Sequence, residues 1–328
     1  MKRAGLQIVM TVFCVSLLWS GSALGQEEPF PVKPINLYVG YPPGGATVIT
    51  AQVVADGMKK YLNQPVVMNF KTGAVQLVLG EFLKNSKPDG YTIGYFAHQN
   101  LIAKLAKDKV DGEPVKVRLE DLDSLGAGPY SPYLLCVNRT SPWQTIEELI
   151  AAARKSPGTL THGEDGMWTS GHLLMEWFAQ KIGASLTVIP FQGGGPAITA
   201  LLGGHVNIVA LSKTAFGPHI KPGGGLRPLV IFDKQRERSL PDVPTALEKG
   251  IDITWAAWQG LRAPNGLPKS VKGKLVDAFE KAMKDPEILR TMDKLESNVL
   301  YLSPEEAQKQ SVRELNLVLE VWEKANKK

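Results

Sequence analysis

Three glycine-rich segments open helical patterns in this chain, and each has the composition of a loop that holds an anion. The first is Tyr41-Pro42-Pro43-Gly44-Gly45-Ala46-Thr47, between an apolar run and an amphipathic pattern. Consecutive glycines let backbone N–H groups approach a ligand without side-chain obstruction, and the helix N-terminus adds a positive dipole end. Thr47 stands at an N-cap position, and the absence of lysine rules out a P-loop. The second segment runs Gly163-Glu164-Asp165-Gly166-Met167-Trp168-Thr169-Ser170-Gly171. Thr169 and Ser170 offer hydroxyls beside a helix start, and Trp168 offers an apolar face. The third is Phe191-Gln192-Gly193-Gly194-Gly195-Pro196, with Pro196 suited to the first helical turn. A tight strand-to-helix turn accounts for any one of these alone. Three of them point to one shared anion site.

Catalytic chemistry is poorly represented. Gly-x-Ser-x-Gly and His-Glu-x-x-His are both missing, and His98, His162, His172, His205 and His219 have no metal-ligand spacing. Ser170 and His172 are two residues apart on a helix, a spacing that points the side chains to different sides and argues against a hydrolase dyad. His98, followed by Gln99 and Asn100 at the end of a strand pattern, is the histidine best placed to touch a ligand. Glu164 and Asp165 read either as a cation pair or as a solvated loop rim. Cys136 lies in an apolar run and reads as a buried small hydrophobe. No catalytic residue, metal or cofactor is therefore expected.

The elements that must position these loops alternate in type. Strand patterns cover 35–41, 66–70 and 91–97, with helical patterns over 47–61 and 75–84 between them. After a polar stretch at 107–124 the rhythm restarts. Strands are expected over 133–137, 160–162, 186–190, 206–211 and 227–232, with helices over 145–155, 170–182 and 196–202. A strand pattern over 254–263 and helices near 268–284 and 304–326 close the chain. This predicts an α/β protein of two lobes, 26–127 and 128–240, with 241–328 returning to the first. Mainly parallel sheets would carry the loops at their carboxyl ends, and two crossings between lobes would leave a hinged cleft.

The chain has 328 residues, 44% hydrophobic and 21% charged, with 37 Lys and Arg against 32 Asp and Glu. That composition suits a folded globular protein and argues against disorder or coiled coil. Residues 1–25 read as a secretory signal peptide: Lys2 and Arg3, an apolar stretch, then small residues ending near Gly25. The apolar run is shorter than the roughly 20 residues of a membrane span. Export to the periplasm is the expectation. Removing the leader takes two cations and leaves a charge of +3, too little to argue for nucleic acid or an anionic membrane.

Beyond these patterns, six segments carry a family resemblance: 41–47, Pro-Asp-Gly-Tyr-Thr-Ile at 88–93, Leu-Leu-Gly-Gly-His-Val-Asn at 201–207, Pro-His-Ile-Lys at 218–221, Leu-Pro-Asp-Val-Pro-Thr at 240–245 and Ala-Pro-Asn-Gly-Leu-Pro at 263–268. In order and spacing they resemble the substrate-binding proteins of tripartite tricarboxylate transporters, the Bug family, over nearly the whole mature chain. The resemblance implies a type II periplasmic-binding-protein fold closing on a small organic acid and delivery to a membrane permease; a carrier that must diffuse to its permease is most simply a monomer. A sensor kinase is the alternative or additional partner. The ligand groups it implies are Tyr41, Gly44, Gly45, Ala46 and Thr47 on one loop and Gly163, Gly166, Trp168, Thr169 and Ser170 on another. Ala97, His98, Gln99, Gln192, Gly193, Gly194, Asn207, Leu211 and Ser212 would complete the set.

Departures from the family pattern bear on the ligand. Val48 stands where an aspartate is usual, Gln52 where an arginine is usual, and Asn207 where a second aspartate is usual. Loss of both acids disfavours an amino-acid ligand. Trp168 stands where a small residue is usual, which puts an aromatic or short dicarboxylic acid ahead of citrate. A secreted hydrolase using Ser170 and His172 is the remaining alternative.

Overall fold

In a computed structural model, residues 29–44 and 46–326 are described; the expected leader and Gly45 fall outside them. The first wing of the sheet follows from simple alternation. Strand β1 (Ile35–Val39) buries Ile35, Leu37 and Val39 completely while the residues between are half-exposed, the period-2 pattern of a strand. It pairs in parallel with β2 (Val66–Phe70) on one side and β3 (Thr92–Ala97) on the other. Helix α1 (Ala46–Leu62) buries Val48, Ala51, Val54, Ala55 and Met58 on one stripe, as its spacing predicts. Helix α2 (Leu77–Lys84) lies between β2 and β3 in the chain.

The second wing repeats the arrangement. After helix α4 (Ile146–Lys155), N-capped by Thr145, strand β5 (Thr161–Glu164) runs parallel to both β6 (Thr187–Pro190) and β7 (Ile208–Ser212). Helices α5 (Ser170–Ile182) and α6 (Gly194–Leu202) make the crossovers.

What joins the wings is antiparallel, which the βα rhythm does not encode. Strand β4 (Leu122–Asn138) is 17 residues long. Its first part pairs with β9 (Ala256–Pro264) and β10 (Asn298–Leu302), its second with β7 and β8 (Leu226–Ile231). The main path is β2-β1-β3-β9-β4-β7-β5-β6. Gly126, Gly128, Pro129 and Pro132 punctuate β4 in the sequence, and only 133–137 shows a strand pattern. In the fold, Ser124–Gly126 and Ala127–Tyr130 are sites of register shift, so the glycines and prolines bend the strand instead of ending it. Pairing carries it past them.

A helix also replaces part of the expected polar stretch. Helix α3 (His98–Asp111) buries Leu101, Ile102 and Ala106. Its other face is laced by Lys104–Asp108 and Lys107–Asp111 pairs at i,i+4, and these charges mask the apolar stripe in the sequence. At the end of the chain, α8 (Lys269–Lys284) and α9 (Pro286–Lys294) cover the first wing, with Phe279, Met283 and Met292 in the core of Leu37 and Val39. Ile253 and Trp255, by contrast, join the core of the second wing with Leu135 and Ile208. The last helix, α10 (Pro304–Asn326), serves both. Gln308 and Ser311 bond to Arg262 of β9, while Val318 enters the core of the second wing and Gln180 of α5 donates to the Val321 carbonyl at 3.0 Å.

One loop beside the carboxyl ends of β1 and β3 carries strain. Ala74, Val75 and Gln76 have φ of 44°, 52° and 71°, a left-handed run that costs L-residues roughly 1–2 kcal/mol each. Gln76 is repaid in part: its buried amide donates to the Ala97 carbonyl and accepts from the Ala97 N–H, both at 2.9 Å. Val75 is β-branched and 48% exposed, so its strain has no packing to offset it. We expect Val75→Gly to raise the stability read from urea denaturation by about 0.5–1 kcal/mol, the relieved strain less glycine's entropic cost; a lowered midpoint would contradict the strain argument.

Candidate functional site

The parallel strands of both wings aim their carboxyl ends toward the antiparallel centre, and the three glycine loops leave from those ends. On the first loop, Gly44 has φ +101°, a conformation that favours glycine. Tyr41, just before it, accepts a hydrogen bond from Asn100 Nδ2 at 2.8 Å. Burial pushes its phenol up against the lowering effect of Asn100, and the charge of Asp165 adds to the rise. Tyr41 of the first wing and Asp165 of the second are therefore within electrostatic reach. Burial pushes the phenol of Tyr133, on the second part of β4, up, and the charges of Asp165 and Tyr41 add to the rise. These residues bring the two wings to one place.

The second loop is built around Asp165. Its Oδ1 accepts from Thr169 Oγ1 at 2.5 Å, and Thr169 Oγ1 in turn accepts from the His172 N–H, capping α5. Gly171 makes the tight seat possible: a Cβ there would lie 2.9 Å from the Ala210 carbonyl oxygen and 3.0 Å from Asp165 Oδ1. Burial pushes the Asp165 carboxyl up from its ordinary value, while the Thr169 hydrogen bond opposes the rise. The third loop brings Gly193, with φ +108°, and Gly194, whose Cα faces the Leu211 side chain. Gln192 is exposed. Ser212 Oγ lies 3.2 Å from Thr214 Oγ1, and Thr214 is tied to Ser131 of β4.

Several residues nominated from the sequence are engaged elsewhere. The Ala97 backbone is satisfied by Gln76. His98 is 4% exposed, begins α3, and is held well below the usual histidine range by burial and by Arg262; it is a core histidine. Gln99 Oε1 accepts from the Trp258 N–H at 2.5 Å, and its Nε2 donates to Glu314 of α10 at 3.2 Å. This makes Gln99 a tie between β9 and α10. Asn207 leaves the set altogether, because it sits at the amino end of β7 and accepts from Thr161 N–H and Oγ1 at 2.8 and 3.0 Å. The aspartate-to-asparagine difference at 207 thus says nothing about a ligand. Trp168, with φ +62°, puts its ring 3.9 Å from that of Trp322, and Lys107 Nζ lies 5.7 Å from its centroid. That ring is a helix-to-helix contact.

Ser170 and His172 are not coupled. Ser170 is 1% exposed with Oγ accepting from Trp255 Nε1 at 2.8 Å, whereas His172 Nδ1 accepts from the Trp168 N–H at 3.1 Å. Burial pushes the Cys136 thiol up, which suits an unreactive core cysteine. Among the described residues no group of three or more His, Cys, Asp or Glu could hold a metal ion.

Tyr133, Asn100 and Gln76 were not among the residues nominated from the sequence. Tyr133 and Gln76 reach the site through sheet pairing and a left-handed turn, neither visible as spacing. Asn100 follows His98 and Gln99, so its neighbourhood carried a signal that the histidine drew away.

Two α/β wings with helix-opening loops meeting across an antiparallel hinge define a periplasmic binding protein. The comparisons give the family. The model of the tripartite tricarboxylate transporter family receptor, TctC, matches residues 50–324, and the chain belongs to that family as a solute-binding receptor. It is 37% identical over 286 residues to a Cupriavidus necator protein named for its place in the gbd 5′ region, covering 87% of this chain and 85% of that one. It is 32% identical to BugT of Bordetella pertussis over 73% of each chain. Among solved structures, a TctC solute-binding protein from Polaromonas superposes with TM-score 0.79 at 28% identity, over 90% of this chain and 100% of that one. MatC from Rhodopseudomonas palustris, with bound malate, has the same fold at TM-score 0.72 and 24% identity, over 89% and 99%.

Proposed function

We propose that this receptor captures a small hydroxy-dicarboxylic acid between two lobes and delivers it to a membrane permease after export to the periplasm. The single observation that carries the ligand class is Asp165. The helix-opening loops that begin at Gly44 and at Gly166 would supply N–H groups for carboxylates, each helix terminus contributing about 0.3–1 kcal/mol, up to ~2 when dry. An acidic side chain beside them disfavours a bare dicarboxylate and favours a ligand that brings a further donor. A hydroxyl beside the carboxylate is such a donor, and the malate held by MatC has one. With Trp168 packed on Trp322, the stacking face that favoured an aromatic acid is gone.

The lobe division we propose places the crossings near Tyr130–Ser131 on β4 and near Trp255–Ala257 at the start of β9, since Ile253 and Trp255 pack in the second wing. Closure has to be stabilised by contacts that exist only when both loops touch the ligand; otherwise loading would not shift the population.

A thermal-shift panel of the mature chain with malate, succinate, citrate, aspartate and benzoate tests the reading, because a ligand of the native state raises Tm with concentration over Kd. Malate is expected to give a larger shift than succinate, and Asp165→Asn to reverse that order, costing malate about 10-fold through a lost charged hydrogen bond while relieving succinate of repulsion. Strongest stabilisation by aspartate would transfer the donor role to an ammonium and overturn the hydroxy-acid assignment. No shift from any acid would overturn the carboxylate reading itself.

A further inference from the structure

One charge in the core of the first wing has no counter-charge. Arg262 of β9 is 0% exposed, and its guanidinium donates to neutral acceptors alone. Nη1 reaches the Gln308 side chain at 3.0 Å and the Leu119 carbonyl at 3.4 Å, and Nη2 reaches Ser311 Oγ at 3.0 Å. Nε is buried without a partner. Burial alone acts on the group and pulls it down to about 10, so it stays charged at neutral pH. The buried acid one turn along α10, Glu314, turns away to Gln99 and Gln310, and nothing from Arg262 offsets the burial that pushes its carboxyl up.

A second orphaned nitrogen belongs to the same region. Arg262 pairs with Gly94 of β3, and Phe96, on the same face of that strand, packs with Leu119 and with Leu101 of α3. His98 follows at the end of β3, 4% exposed, with Nε2 buried and unpartnered. Burial first, and the Arg262 charge second, hold its imidazole neutral. The two nitrogens therefore come from adjoining elements within electrostatic reach of each other. A neutral imidazole can carry its proton on Nε2, so both atoms can donate. Ordered water would satisfy them as hydrogen-bonding groups but would leave the charge uncompensated, and a buried charge without a partner costs far more than an unpaired neutral group. A carboxylate or phosphate would bring several oxygens, each wanting donors of its own. A monatomic anion asks only for N–H groups and a positive charge, and Arg262 and His98 supply both.

We propose that Arg262 and His98 hold a halide ion, chloride under ordinary conditions, in the core where β9 meets α10, independently of any acid held at the glycine loops. Crystals of the mature protein soaked in sodium bromide test this directly, with an anomalous peak expected in contact with Arg262 Nε and His98 Nε2. In solution, exchanging methanesulfonate for chloride at constant ionic strength, up to ~200 mM, should raise Tm by about 1–3 °C. Arg262→Met keeps the apolar stem, removes the charge and should abolish that rise. His98→Leu removes one donor and should move the midpoint of the rise roughly 10-fold higher in chloride. No rise in the wild type, a rise that persists in Arg262→Met, or a bromide map with water alone beside Arg262 would each overturn the proposal. If Arg262→Met does not fold, the bromide map decides.

Discussion

Gly44→Val is expected to weaken binding of the best acid in the panel at least 100-fold while the protein still folds. Gly44 has φ +101° and nothing within 4 Å of where a Cβ would stand, so packing does not forbid a larger residue. Backbone conformation does. A β-branched residue is strained there by about 1–3 kcal/mol, and because Gly44 is exposed, the loop escapes the strain by turning to negative φ. That movement would withdraw the loop N–H groups proposed above to hold the carboxylate. The fold loses little, since β1 and α1 are held by Leu37, Val39, Ala51 and Val54 below the loop. Titration calorimetry and a melting curve on the same sample give both readouts, and an unchanged Kd would remove the first loop from the site.

The second large effect concerns stability against pH. Glu314 of α10 is 7% exposed, and burial pushes its carboxyl up to about 7 against the hydrogen bonds donated by Gln310 and Gln99. The native state thus binds this proton more tightly than the unfolded chain, whose value is near 4.5. The contribution of this group is undiminished below pH 4.5 and declines as the pH rises through about 7, by a total on the order of 3 kcal/mol at most. Glu314→Gln keeps the shape and removes the proton. Urea denaturation should show the variant more stable than wild type by about 1–3 kcal/mol at pH 8, with the advantage gone near pH 4.5. An equal difference at both pH values would show that the carboxyl does not titrate in this range.

Much of the fold was legible. The period-2 burial of β1, the stripe of α1 and the three helix-opening loops all follow from local spacing. The antiparallel centre was not, because β4 is held by partners as distant in sequence as β9 and β10, and its glycines and prolines carry local signals for turns. At the site the same division holds. Gly44 and Thr169 sit where glycine and capping preferences put them, whereas the engagement of Gln99 with Trp258 and of Trp168 with Trp322 depends on β9 and α10 folding back from more than 150 residues away. Asn207 misled because a motif position was read as a functional one; its side chain organises the start of β5.

Helix α10 grips β9 at Gln308 and Ser311 and the second wing at Val318 and Trp322. It therefore works as a strut bolted to both sides of a door. In the closure proposed above, a swing of the wings would slide one end of this helix along its seat and add the energy of that slide to each opening. Cargo attached at the carboxyl end, such as an affinity tag or a fluorescent fusion, would pull on the strut and retune affinity from a distance. A label placed ahead of β1 would leave the door's balance as it is.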